Sequence, residues 1–174
     1  MVIWYINLKN RVMKLNIIGS GNVATHLAKK IYNEVEVCTV YSRKLSNAEK
    51  LASEINSKAI NKLSEIDLNA DLTLIIVSDN AVKEVIKELP CDLSVVHTSG
   101  SIPIDVFSGF KNFGILYPLQ SFSKYSPLDI SLIPFLIEAN NLLFENNLIE
   151  FCEQFLSKKN HITTSDFIEK ISNE

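Results

Sequence analysis

The stretch Leu15-Asn16-Ile17-Ile18-Gly19-Ser20-Gly21-Asn22-Val23-Ala24 decides how this chain is read. A short apolar strand, Leu15–Ile18, runs directly into Gly-x-Gly-x-x-Ala, and the pattern then opens a helix over 22–32 with Val23, Leu27, Ala28 and Ile31 on one face. Between a strand and a helix, that spacing makes a phosphate-binding turn. Gly19 permits the tight turn. Gly21 removes the Cβ that would hold the backbone away from a pyrophosphate, and Ala24 lets the helix pack closely on the strand. Ser20, Asn22 and Val23 complete the loop, where the helix start offers unpaired N–H groups and the positive end of its dipole. The competing reading is a glycine-rich corner that binds nothing.

The same alternation continues outward. Further strands are expected at 35–41, 58–60, 72–77, 93–97, 113–116 and 135–138. One helix is expected to begin at Ser46, an N-cap with Glu49 completing a capping box, and to run to about Asn56. Another spans 81–89, closed by Pro90, and a long one runs from about Asn141 to Ser157 with Leu142, Ile149, Cys152 and Leu156 along its apolar stripe. This rhythm predicts an α/β fold, Rossmann-like and doubly wound, whose mostly parallel sheet carries helices on both faces. Without a repeat or linker, 14–157 reads as one nucleotide-binding domain. Residues 1–13 read as an extension, with Met13 an alternative start, and 158–174 as the beginning of a helical domain cut short, with Phe167, Ile168 and Ile171 at helical spacing.

Composition narrows the partners. The 174 residues are 47% hydrophobic and 21% charged, enough for a real core. Seventeen Lys and Arg against 20 Asp and Glu leave a net charge of −3, which argues against nucleic acid as partner. Cys38, Cys91 and Cys152 form neither a disulfide framework nor a zinc pattern, so no metal is expected and a reducing cytoplasm is. No apolar run approaches the roughly 20 residues of a membrane span. Ser–His–Asp order, HExxH and a Walker lysine are all missing, leaving hydrolase and kinase chemistry without its groups.

Two further strand ends refine the ligand. An NAD site needs an acid about 20 residues beyond the turn, but the sequence there is Tyr41-Ser42-Arg43-Lys44. Ser42 and Arg43 suit a 2′-phosphate instead, which favours NADP over NAD, unless this is a solvated basic loop. The missing acid also weighs against an S-adenosylmethionine methyltransferase. After the fourth strand, Ser78 and Asp79 either contact the ribose or cap the next helix. After the fifth, Thr98 and Ser99 belong to a hydroxyl loop suited to lie beneath a nicotinamide. His97, the imidazole nearest this edge, is either a proton donor to substrate or a strand-end histidine bonded to backbone. Tyr117 and Gln120 either orient a substrate or pack their loop. His26 and His161 do not read as catalysts.

The segments Ile17–Ala24, Val40–Arg43, Val77–Ala81, His97–Ser101, Tyr117–Phe122 and Ile137–Asn140 together resemble a family of NADP oxidoreductases with a Rossmann-like N-terminal half and a helical C-terminal domain. Its relatives include pyrroline-5-carboxylate reductase and the deazaflavin-dependent NADP reductases. The resemblance implies NADP(H) held by Gly19, Gly21, Asn22, Val23, Ser42 and Arg43, the nicotinamide near Ser78 and 97–99, and a small-molecule substrate. It also implies a homodimer built through the helical domain, weakened where that domain is missing. The expected function is hydride transfer; the alternative is a non-catalytic NADP-binding module or a reductase fragment.

Overall fold

A computed structural model describes residues 11–123, 128–158 and 161–163. Its eight strands are β1 (Lys14–Ile18), β2 (Glu36–Tyr41), β3 (Lys58–Ile60), β4 (Leu72–Ile75), β5 (Ser94–His97), β6 (Asn112–Pro118), β7 (Phe135–Ala139) and β8 (Ile162–Thr163). They form one sheet in the order β3-β2-β1-β4-β5-β6-β7-β8. Pairing is parallel from β3 through β6; β7 turns antiparallel to β6, and β8 runs parallel to β7. The order reverses between β1 and β4, where the crevice of a doubly wound sheet opens. Among the described residues, no helix is long and apolar enough to cross a membrane.

Alternation along each strand divides the core between the faces. Ile17 joins the layer under α1 (Asn22–Ile31), α2 (Leu45–Glu54) and α4 (Leu142–Phe151), while Ile18 joins the layer under α3 (Asp79–Glu88). Ala24, Leu27, Ala28 and Ile31 are all fully buried, so α1 lies close on the sheet as its small and apolar face requires.

Three local expectations change. α2 starts behind Lys44 rather than Ser46, with no side-chain cap, and ends at Glu54 before Asn56 enters the left-handed region (φ 52). The long helix is two pieces, α4 and a π-helical turn over Cys152–Leu156. At its start the Asn141 side chain accepts the Phe144 N–H (2.9 Å), setting a phase that buries Phe144, Leu148 and Phe151. Leu142, assigned to the buried stripe from the sequence, is therefore 74% exposed. The π turn then advances the phase so that Cys152, Phe155 and Leu156 are buried. Third, the sheet continues past residue 157 into β8. The helical spacing expected at 167–171 lies outside the described residues, as do 1–10; Met13 is buried, and Arg11 pairs with Asp71.

A polar tie crosses the centre of the sheet. Asn16, fully buried on β1, accepts the Thr39 hydroxyl (2.7 Å) from β2 and donates to Thr73 Oγ1 (3.3 Å) on β4 and to the Asp67 carbonyl (2.8 Å). It sits where the β1–β2 register shifts by one residue, so it fixes the offset that three apolar strands alone would leave loose. Asn16→Leu strands two buried hydroxyls and a carbonyl and should cost about 2–3 kcal/mol in denaturant unfolding. A variant as stable as wild type would show that the tie is dispensable.

Candidate functional site

The carboxyl ends of β1, β2 and β4 meet at the switch between β1 and β4. Gly19 donates its N–H to the Tyr41 carbonyl (2.9 Å), and Ile76 donates to the Ile18 carbonyl (2.7 Å). Gly19 takes φ +128, and a Cβ there would lie 1.9 Å from the Ile76 carbonyl oxygen. Only glycine fits. Gly21, the N-cap of α1, has ordinary extended geometry (φ −78, ψ −168). A Cβ on Gly21 would meet no atom of the described protein within 4 Å. None of the described residues fills the room at Gly21, which lies at the start of α1.

Around this turn lies a cleft of about 250 Å³. Gly19, Ser20, Gly21, Ser42, Arg43 and Ser78, all singled out from the sequence, line it together. Anion-binding amides, three serine hydroxyls and a guanidinium therefore share one hollow, a donor set that fits a phosphorylated dinucleotide. Asn22 and Val23 start α1 but turn their side chains elsewhere: Asn22 donates to the Phe122 carbonyl (3.2 Å), and Val23 packs on the core. The sequence reading missed Tyr41, Leu63, Val77 and the α3 residues Ala81, Glu84, Val85 and Glu88, which also line the cleft. Their signal was the 81, 84, 85, 88 spacing, one stripe of a helix.

A second cluster joins the ends of β4 and β5. Asp79, in the first turn of α3, accepts a hydrogen bond from the Ser101 hydroxyl. Ser101 donates its N–H to Ser99 Oγ (3.1 Å), and the two hydroxyls lie 3.1 Å apart. These hydroxyls hold the Asp79 carboxyl below its ordinary pKa. Asp79 thus clamps the β5 loop rather than capping its own helix, since Ser78 makes no side-chain cap. Thr98 is half-buried in this loop. The Tyr117 ring fills the space beside Gly100, where a Cβ would stand 2.8 Å from Tyr117 Cε1. The segments His97–Ser101 and Tyr117–Phe122 therefore touch. Gln120 does not join them; its side chain accepts the N–H of the adjacent Ser121 (3.3 Å). His26 meets the Ser123 carbonyl (3.0 Å), and His161 Nδ1 accepts the Phe135 N–H (3.3 Å), both outside the cleft.

His97 is fully buried at the end of β5 and stacks on Phe107 (5.3 Å between centroids). Its Nδ1 accepts the Ser99 N–H (3.1 Å), which puts the proton of the neutral ring on Nε2. Burial lowers its pKa to about 4. The unfolded chain takes up that proton near pH 6.5 and the folded chain only near 4. The contribution of His97 to stability should therefore be present in full above pH 6.5 and be lost as pH drops towards 4, on the order of 3 kcal/mol. His161 is shifted in the same direction and adds to the loss. His97→Asn, whose Oδ1 can still accept the Ser99 N–H, should flatten most of this fall in unfolding measured from pH 7 to 4. An unchanged profile would place the titration elsewhere.

Comparison with known proteins agrees with this geometry. The family model described as NADP oxidoreductase, coenzyme F420-dependent, matches residues 14–109. A candidate NADP oxidoreductase from Bacteroides fragilis is similar at 30% identity and TM-score 0.77, covering 93% of this chain and 63% of that one. A Thermotoga maritima protein (21%, TM-score 0.68, 87% and 57%) and a reductive aminase from Aspergillus terreus solved with NADPH and ethyl-5-oxohexanoate (13%, TM-score 0.66, 94% and 61%) share the fold. The chain spans 63% of the length of the Bacteroides protein. No curated protein matched by sequence.

Proposed function

This chain belongs to the family of coenzyme F420-dependent NADP oxidoreductases, and on that premise we propose that it holds NADP(H) in the cleft at the β1–β4 switch for hydride exchange with a small-molecule substrate. The backbone of 19–21 and the start of α1 receive the pyrophosphate, while Ser42 and Arg43 receive the 2′-phosphate. Ser78, Asp79, Thr98 and Ser99 position the ribose and the nicotinamide, and Tyr117 borders the substrate. Bound NADPH supplies the hydride. The observation that carries the reading is that the space left open at Gly21 and the Arg43 guanidinium belong to one cleft.

His97 serves this site by holding the Ser99 backbone. Nδ1 accepts that N–H and the ring is buried against Phe107, so the Nε2–H, which has no partner among the described residues, is the one proton the neutral ring can offer. That burial is also what favours a second reading, a nucleotide-binding module without catalysis. The free cysteines suit a cytoplasmic protein, and the resemblance extends the proposal to a pyrroline-5-carboxylate reductase-like relationship and a homodimer. Titrating NADPH with the chain while following nicotinamide fluorescence tests the site: saturation at one nucleotide per chain is expected, and an unchanged emission contradicts it.

A further inference from the structure

α3 turns one stripe to the cleft: Ala81, Glu84, Val85 and Glu88, at i, i+3, i+4 and i+7. Ala81 and Val85 make the wall apolar, and Leu63 continues it. Both glutamates are exposed, and neither has an ion-pair partner among the described residues. Tyr41 lies between the walls. Burial holds its phenol above the ordinary pKa, the Glu88 carboxylate adds to that, and Arg43 acts against it. This end of the cleft thus combines an apolar slot with a rim on the α3 side whose polar atoms are carboxylate oxygens, which accept hydrogen bonds and donate none.

A ligand with several phosphates gains nothing from two carboxylates in its own cleft. They oppose it by charge unless it brings N–H groups to them. An apolar slot beside a guanidinium suits a flat purine, and adenine carries its exocyclic N–H groups at position 6. Resting on the NADP(H) reading, we propose that Glu84 and Glu88 accept the 6-amino group of the adenine and make the cleft selective for a 6-amino over a 6-oxo purine. They are specificity-determining residues, remote from the transferred hydride. A 6-oxo base would set its carbonyl oxygen against the carboxylates and lose affinity.

The test compares NADPH with its 6-oxo analogue, reduced nicotinamide hypoxanthine dinucleotide phosphate, by calorimetric titration of the full chain. NADPH should bind about tenfold more tightly, the discrimination expected of one good charge-assisted contact to a base edge. In the double variant Glu84→Gln and Glu88→Gln the two nucleotides should bind within about twofold of each other, because an amide can donate to a 6-oxo group as well as accept from a 6-amino group. Both positions are exposed, and a matching thermal unfolding curve establishes that the variant is folded. Equal binding by the wild-type chain, or a tenfold preference kept by the double variant, overturns the assignment while NADPH binding itself stands. Failure of both nucleotides to bind the wild-type chain overturns the NADP(H) site and this assignment together.

Discussion

Gly19→Ala should fail to fold under conditions in which Gly21→Val folds normally and has lost its nucleotide. The two glycines stand two residues apart in one turn, yet the chain uses them differently. At Gly19 a methyl group would lie 1.9 Å from the Ile76 carbonyl oxygen, on a backbone at φ +128 that L side chains avoid. The oxygen cannot yield cheaply, because Ile76 is bonded through its own N–H to the Ile18 carbonyl and packs in the core. Overlap and strain together should exceed about 3 kcal/mol, a large part of the roughly 5–15 kcal/mol that stabilises a domain. At Gly21 a Cβ meets no atom of the described residues and the backbone is already extended, so the fold should tolerate valine. Its methyl groups would occupy the space that a pyrophosphate needs in order to reach the α1 amides. NADPH affinity should fall at least about 100-fold, roughly 2.7 kcal/mol. Denaturant unfolding of both variants, with NADPH titration of the folded one, checks the pair. A stable Gly19→Ala protein would show that the turn relaxes around a methyl group, and a Gly21→Val protein that still binds would place the ligand elsewhere.

The second large effect belongs to Arg43. It lines the cleft with Ser42 and Ser20, and no ion pair to Arg43 occurs among the described residues. A guanidinium that meets a phosphate in fork geometry forms two charge-assisted bonds. Because Arg43 is exposed, water screens part of that interaction. Arg43→Ala should therefore weaken NADPH about thirtyfold, roughly 2 kcal/mol, and leave NADH almost unchanged. The loss should shrink as salt is raised.

How much of this was legible in the sequence follows the range of the interactions. The strand, turn and helix around Gly19–Ala24 form from neighbours in the chain, and the candidate residues at the ends of β1 and β2 fall on the edge that the topology dictates. Elements whose phase is set at a distance were less legible. The buried stripe of α4 depends on the Asn141 cap and a π turn, and apolar periodicity cannot register either one. The Asp79–Ser101 clamp joins residues 22 apart, and the burial of His97 depends on Phe107 arriving from a separate turn. Glu84 and Glu88 were not singled out from the sequence, because other residues of the cleft, Leu63 and Tyr41 among them, come from distant parts of the chain.

The most direct test of the account is calorimetric titration of the wild-type chain and Arg43→Ala with NADPH and with NADH at one salt concentration. The wild-type chain should prefer NADPH by about thirtyfold or more, and the variant should lose most of that preference by weakening NADPH alone. Equal affinity of the wild-type chain for the two nucleotides, or a preference undiminished in the variant, would contradict the assignment of this cleft to NADP(H).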